Sequence, residues 1–156
     1  MDLTQRDLEW ARKTIQCTEF FKDCSAAEWE ILMDELEKLS FKAGSTIIFQ
    51  GEISNKLYLV QSGKVSVTIA KKKRKEKIAE IGPNCFFGEI SLLTPKAATA
   101  TVKAEEDSEI VILEGGVVRK IIQTNPALEE NINNKIKQRL DEQCKCFEDD
   151  KHGPNT

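Results

Sequence analysis

The spacing of apolar residues changes twice along the chain, and this change limits the fold more than any other feature. Between residues 26 and 36 apolar side chains recur every three or four positions, the period of a helix. From about residue 45 to residue 113 they alternate with polar side chains, and glycines interrupt the alternation at short intervals. Helical spacing returns after Gly116. The pattern predicts an α+β domain in which seven or eight short antiparallel strands form a roll, barrel or sandwich.

Two local signals fix where helices begin. Ser25 and Glu28 have the spacing of a capping box, in which each side chain accepts a hydrogen bond from a free backbone N–H. Asn125-Pro126 supplies an N-cap followed by a proline at the first helical position. A single apolar stripe then predicts a long final helix. The stripe consists of Leu128, Ile132, Ile136 and Leu140.

The length of 156 residues suits one domain, which we expect to span residues 1–148. Within it, N-terminal helices are expected over residues 1–38, the strands over 39–114 and the C-terminal helices over 115–148. Residues 149–156 are polar and contain Gly and Pro, so they are expected to form a flexible tail.

Composition excludes several classes of function. The net charge of -3 differs from the strongly positive charge that is typical of nucleic-acid-binding domains. No apolar run reaches the roughly 20 residues that a membrane-spanning helix needs. The N-terminus lacks an apolar signal core, and five cysteines without framework spacing are expected to be free thiols. These features predict a cytoplasmic protein.

Catalytic and metal-binding constellations are missing from the sequence. Its only histidine, His152, lies in the tail, so neither a jelly-roll metal site nor a Ser/His/acid set is available. Cys144 and Cys146 have no second pair and make a poor zinc motif. We therefore expect no enzyme, no metal and no required cofactor.

The segment Cys85–Leu93 carries the strongest functional signal. Gly88 permits close approach of a ligand to the backbone, and the Glu89 carboxylate can accept hydrogen bonds from sugar hydroxyls. The backbone N–H groups of Ile90 and Ser91 would lie at a helix N-terminus, where they favour a phosphate. Alone, the motif is weak, because a tight turn with a solvated Glu has the same sequence.

Taken with its surroundings, the segment resembles the cyclic-nucleotide-binding domain family, which serves catabolite activator proteins, protein kinase A regulatory subunits and nucleotide-gated channels. The resemblance runs from about Phe20 to Leu140. It rests on phenylalanines before a capped helix, glycines at successive hairpin turns and a Phe-Gly-Glu turn. These are Phe20-Phe21, Phe41-Lys42-Ala43-Gly44, Ile48-Phe49-Gln50-Gly51-Glu52, Leu57–Val65, Ile81-Gly82-Pro83 and Phe86–Leu93.

The resemblance implies an α+β fold with an antiparallel, jelly-roll-like β-roll of about eight strands, and a phosphate-binding cassette that begins at Phe87. It implies that Glu89 binds the ribose 2′-hydroxyl, and that Gly88, Ile90 and Ser91 bind phosphate and sugar through the backbone. The expected ligand is cAMP or cGMP.

The chain departs from the family at the cassette arginine, which pairs with the phosphate. A register that matches Pro-Lys to the family's Pro-Arg places Lys96 there but shortens the cassette by two residues. The gapless register, which we favour, places Ala98 there. Thr99 then follows the arginine position, where some relatives carry a Thr that favours guanine.

Two functions therefore remain open. The first is a stand-alone regulatory sensor of cAMP or cGMP, in which the hinge near Gly115-Gly116 moves and the final helix closes over the pocket. In that helix Ile132, Ile136 and Leu140 could cap the base or pack on the roll, and Arg139 is a candidate for a polar contact of the lid. A protein partner would read the helix. The second function is a degenerate domain that acts as a protein-interaction module.

We expect neither a DNA-binding domain nor a membrane segment. The basic run Lys71–Lys75 is expected at a solvated hairpin tip, with an acidic partner, RNA or a phospholipid surface as the alternatives for its role.

Overall fold

The computed structural model describes residues 3–88, 92–93 and 95–141. Four helices surround short strands within this part of the chain. The helices are α1 (Gln5–Thr18), α2 (Ala26–Asp34), α3 (Gly115–Thr124) and α4 (Ala127–Asp141). The strands are β1 (Glu37–Phe41), β2 (Thr46–Ile48), β3 (Ile53–Ser54), β4 (Lys56–Ser62), β5 (Val65–Lys71), β6 (Arg74–Ile81), β7 (Phe86–Phe87), β8 (Lys96–Ala97), β9 (Thr101–Ala104) and β10 (Ser108–Glu114).

Every strand pairing is antiparallel. One sheet has the order β1-β10-β4-β7, a second β2-β9-β5-β6, and β3 pairs with β8. Side chains from both four-stranded sheets form one buried cluster, the roll interior. Its buried members are Ile48, Tyr58, Val60, Val65, Ile81, Cys85, Phe87, Val102, Ile110 and Ile112. The α+β roll predicted from the sequence is confirmed, with ten short strands in the described part rather than about eight.

Strand β4 is buried on both faces, which explains its unbroken apolar run. Leu57 and Leu59 pack against the helices, whereas Tyr58 and Val60 face the roll interior. The final helix packs on the helical side of this sheet, because Ile132 is fully buried there and Ile136 lies against the same cluster. Packing on the protein is therefore confirmed for these two members of the stripe, while the side chains of Arg139 and Leu140 lie outside the described residues.

Helix α2 begins as predicted. The Glu28 backbone N–H donates to Ser25 Oγ at 3.2 Å, and the Ser25 N–H donates to Glu28 Oε1 at 2.9 Å. The same carboxylate accepts a hydrogen bond from Asn125 Nδ2 at 3.0 Å, so the cap of α2 also holds the junction between α3 and α4.

A buried polar group fixes α1 to the first sheet. Lys38 of β1 lies 3.1 Å from Asp7 Oδ1 and 3.4 Å from Glu109 Oε1. Hydrogen bonds from the Thr4 backbone and from Gln61, with a smaller contribution from Lys38, outweigh burial and hold the pKa of Asp7 well below its usual value. A Lys within a strand can therefore be buried here, because its charge is paired.

The cysteines differ in state. Cys17 and Cys24 carry free thiols, as expected. Cys85 is disulfide-bonded, so the expectation of free thiols throughout is wrong at this position.

Among the described residues, no helix combines the length and apolar character that crossing a membrane requires.

Candidate functional site

The glycine at the start of the predicted cassette is required by its surroundings. Strand β7 pairs with β4, which places Phe87 opposite Tyr58, and Gly88 follows with φ +91°. A Cβ at Gly88 would lie 2.5 Å from the Lys56 carbonyl oxygen and 3.0 Å from Tyr58 Cδ1. Only glycine combines this backbone conformation with such a close approach. The chain therefore leaves β7 in a fixed position just before Glu89.

Three predicted site residues, Glu89, Ile90 and Ser91, lie outside the described residues. Their roles in binding sugar and phosphate stay predictions, as does the expected cassette helix. The flanking residues Gly88 and Leu92 are described, and Leu92 is fully buried in the cluster beneath the helices. The segment is thus anchored on both sides.

An aromatic stack lies at the end of the roll interior beside Gly88. The rings of Tyr58 and Phe87 are parallel within 2°, with centroids 4.8 Å apart, and each residue is 7% exposed. Burial raises the pKa of Tyr58; the neighbouring Ser54 hydroxyl opposes this rise and the Glu52 charge adds to it. The phenol therefore stays neutral at physiological pH, and this end of the interior is largely apolar.

A buried hydroxyl borders the stack. Ser54 Oγ is buried, and its effect on the Tyr58 pKa places it beside the phenol. Ser54 is therefore a polar group at the edge of the aromatic stack.

The two candidates for the arginine position have different surroundings. Lys96 is exposed on β8, opposite Ser54 of β3. Ala98 is partly buried and packs against the roll interior, the cluster that contains Phe87 and Tyr58. Its N–H donates to the Glu52 carbonyl at 2.8 Å, and its own carbonyl accepts from Gly51 N–H at 2.8 Å. Ala98 therefore lies at the edge of the roll interior, whereas Lys96 is exposed to solvent.

Thr99 is exposed and follows Ala98 in a bend. Of the described residues, the buried charged ones are Asp7 and Lys38, both on the helical side of the first sheet. No buried cation therefore belongs to the roll interior within this part of the chain. A phosphate placed there would depend on backbone donors and on cations at the edge.

The start of α3 touches the cassette through a second close glycine. Gly115 N–H donates to the Asn55 carbonyl at 2.7 Å. A Cβ at Gly115 would collide with the Leu92 carbonyl oxygen and lie 2.8 Å from that of Asn55. Gly116 has ample space, with only Arg119 Nη2 within 4 Å, at 3.8 Å. Gly115 therefore joins Leu92, just after the predicted cassette residues, to the start of α3; movement at this predicted hinge stays a prediction.

Tyr58 and Ser54 are not among the candidate residues predicted from the sequence. The side chain of Tyr58 is assigned to the roll interior, where β4 pairs with β7. The unbroken apolar run Leu57-Tyr58-Leu59-Val60 indicates a strand buried on both faces, but it does not identify the face that meets the Phe-Gly-Glu turn.

Comparison with known proteins places these features in a family. The family model described as the cyclic nucleotide-binding domain matches residues 38–125, more than half of the chain. The cyclic AMP receptor protein of Thermus thermophilus is 29% identical over 123 residues, which cover 78% of this chain and 57% of that protein. A cGMP-dependent protein kinase of Eimeria tenella is 28% identical over 120 residues, covering 77% of this chain and 12% of the kinase. The chain thus spans between 12% and 57% of these two relatives.

Solved structures agree. The Thermus thermophilus catabolite activator protein superposes with a TM-score of 0.65 at 28% identity, covering 80% of this chain and 59% of that one. A cyclic nucleotide-binding domain from Methylobacillus flagellatus gives a TM-score of 0.74 and covers 97% of this chain and 85% of that one; at 18% identity it supports the fold alone. From the matched residues, the roll and the Gly88 turn, we conclude that this chain belongs to the cyclic nucleotide-binding domain family.

Proposed function

We propose that the domain is a regulatory sensor of cAMP or cGMP and that the ligand binds beside Gly88. The observation that carries the proposal is the forced glycine turn, whose Cβ space is taken by the Lys56 carbonyl and the Tyr58 ring. Such a turn presents the following backbone N–H groups to an anion without side-chain interference. The names of the relatives, a cyclic AMP receptor protein and a cGMP-dependent kinase, support the ligand class.

In this proposal each group has a role that its chemistry permits. The Glu89 carboxylate accepts hydrogen bonds from the ribose 2′-hydroxyl, and the N–H groups of Ile90 and Ser91 bind the phosphate. The Tyr58–Phe87 stack supplies an apolar floor for the ligand. Catalysis is not part of the proposal, and neither is a cofactor.

The position of Ala98 predicts weak binding. A family arginine there would extend from the edge of the roll interior and form a bidentate, charge-assisted pair with the phosphate. Loss of such a partner costs roughly 2–5 kcal/mol, about 30- to several-thousand-fold in affinity. Lys96 supplies a positive charge from an exposed strand, but its ammonium group cannot form the two parallel hydrogen bonds of a planar guanidinium group. We therefore expect dissociation constants well above those of a domain with the arginine.

The same observation favours a second candidate function. Ala98 packs against an apolar interior that already holds the Tyr58–Phe87 stack. A domain that has exchanged a charged binding group for apolar packing fits a protein-interaction module that no longer responds to nucleotide. The two candidates share the architecture and differ only in whether the Gly88 turn still binds a ligand.

Signal output is proposed to follow the contact between the cassette and α3. Ligand would shift Leu92 against Gly115, tilt α3 and so move α4, which a protein partner then reads. A ligand drives such a shift only through a difference in its affinity for the two states. The proposal places the domain in the cytoplasm, where cyclic nucleotides are made and degraded.

Calorimetric titration with cAMP and cGMP up to millimolar concentration tests the sensor directly. We expect saturable heat that Glu89→Ala abolishes. Glu30→Ala serves as a matched control, because Glu30 is exposed on α2. No heat at millimolar ligand, or equal heat from the Glu89→Ala and wild-type proteins, would reject the sensor in favour of the interaction module.

A further inference from the structure

The turn between β5 and β6 concentrates positive charge on an otherwise acidic chain. Its five consecutive cations, Lys71–Lys75, are here called the basic tip, and all are exposed. The register pairs Lys71 with Arg74, so Lys72 and Lys73 form the turn itself. Only Lys71 has an ion-pair partner within the described residues, Glu76 at 3.6 Å. Four cations therefore project from a hairpin without compensation, although the whole chain has a net charge of -3.

An apolar loop is fixed at the base of the basic tip. Residues 49–53, here called the apolar loop, comprise the connection from β2 and the first residue of β3. Phe49 is 61% exposed in this loop and Ile53 is 66% exposed. The side chain of Gln50 bonds both backbone groups of Ala70: its Oε1 accepts at 2.8 Å and its Nε2 donates at 3.5 Å. Ala70 directly precedes the tip. Exposed apolar groups and free cations are thus held side by side by the fold.

We infer that the basic tip and the apolar loop together bind an anionic phospholipid surface. Unpaired lysines and arginines are attracted to acidic headgroups, and exposed Phe and Ile side chains gain by entering the interface. Each cation near an acidic membrane strengthens binding about fivefold. The acidic remainder of the chain is repelled from such a surface and orients the domain with its tip toward the lipid.

The charge distribution argues against a nucleic acid as the partner. Nucleic-acid-binding domains are strongly basic as a whole, whereas this chain has a pI of about 5.4. Exposed Ile53 cannot stack on a base, although it can enter the acyl boundary of a membrane. The inference is independent of cyclic nucleotide binding, because no residue of the Gly88 turn takes part in it.

Co-sedimentation of the full chain with vesicles tests the inference. We expect binding to vesicles of phosphatidylcholine mixed with phosphatidylserine, weak binding to phosphatidylcholine alone, and loss of binding as salt rises. The double variant Lys72→Gln/Lys73→Gln should bind about 30-fold more weakly. Lys13→Gln/Lys120→Gln removes the same charge from exposed helical positions and should bind like the wild type.

Phe49→Ser separates the apolar contribution from the charge. It should weaken vesicle binding about tenfold while leaving the salt dependence intact. Circular dichroism melts identify any variant that fails to fold. Equal loss in the tip and helical control variants, absence of binding to acidic vesicles, or preferential binding of single-stranded RNA over those vesicles would each overturn the inference.

Discussion

Replacing Gly88 by alanine isolates the close approach on which the site depends. Gly51 is the matched control, because both glycines have φ +91°. At Gly51 a Cβ meets no atom within 4 Å, whereas at Gly88 it lies 2.5 Å from the Lys56 carbonyl oxygen and 3.0 Å from Tyr58 Cδ1. The backbone cost of the substitution is therefore common to both, and the steric cost belongs to Gly88 alone.

The magnitudes follow from the two terms. Placing alanine at positive φ costs about 1–2 kcal/mol, so Gly51→Ala should lower the free energy of unfolding by that amount. Forcing a Cβ against the backbone of β4 adds about 1–3 kcal/mol, because the packed strand cannot move freely. Gly88→Ala should therefore cost about 2–5 kcal/mol.

Urea unfolding of the two variants and the wild type, followed by tryptophan fluorescence and circular dichroism, measures the difference. The free energy of unfolding should fall with urea concentration at the same slope in all three proteins, so their unfolding midpoints can be compared directly. Equal destabilisation by Gly51→Ala and Gly88→Ala would show that the close approach to β4 is not the reason for glycine at position 88. This contact would then not fix the position of the cassette.

Three further outcomes are expected. Gly115→Ala should destabilise the fold by about 1–3 kcal/mol, because the added Cβ collides with backbone carbonyls. Gly116→Ala should leave the stability unchanged or stabilise α3. Equal midpoints of urea unfolding for the two variants would contradict the contact between the cassette and α3. The folded-state pKa of Asp7 is depressed, so its carboxylate stabilises the fold above the usual pKa of 3.8, and this stabilisation is lost as the pH falls below that value. In Asp7→Asn the free energy of unfolding should therefore fall less steeply with acid than in the wild type. An unchanged dependence on pH would refute this. Burial raises the pKa of Cys24 to about 11, and the negative charges of Glu28 and Asp23 add to the rise. Iodoacetamide should therefore label Cys24 more slowly than the exposed Cys17. Faster labelling of Cys24 would refute this.

The sequence predicted the roll well because its patterns reflect burial directly. The run Leu57–Val60 is apolar throughout because β4 packs on helices with one face and lines the roll interior with the other. Strand β1 was not predicted, because it contains Lys38 where an apolar residue would mark the buried face. That lysine is buried only through its ion pair with Asp7, 31 residues earlier, which no local pattern reveals.

The positive φ of Gly88 agrees with the glycine turn predicted from the sequence, because this restriction on the backbone is local. Ligand binding at this turn stays a prediction. Whether Lys96 or Ala98 approaches the ligand depends on how β8 pairs with β3, and the sequence alone left both registers open. The stack of Tyr58 on Phe87 likewise arises from strand register, which joins residues far apart in the chain.

Restoring an arginine tests the central claim most directly, namely that the Gly88 turn and the neighbouring roll interior form a cyclic nucleotide site with position 98 at the phosphate. Ala98→Arg and Lys96→Arg should be titrated with cAMP and cGMP beside the wild type. The account predicts at least about a 30-fold gain in affinity for Ala98→Arg and no gain for Lys96→Arg. A gain from Lys96→Arg alone, or none from either variant, would contradict it.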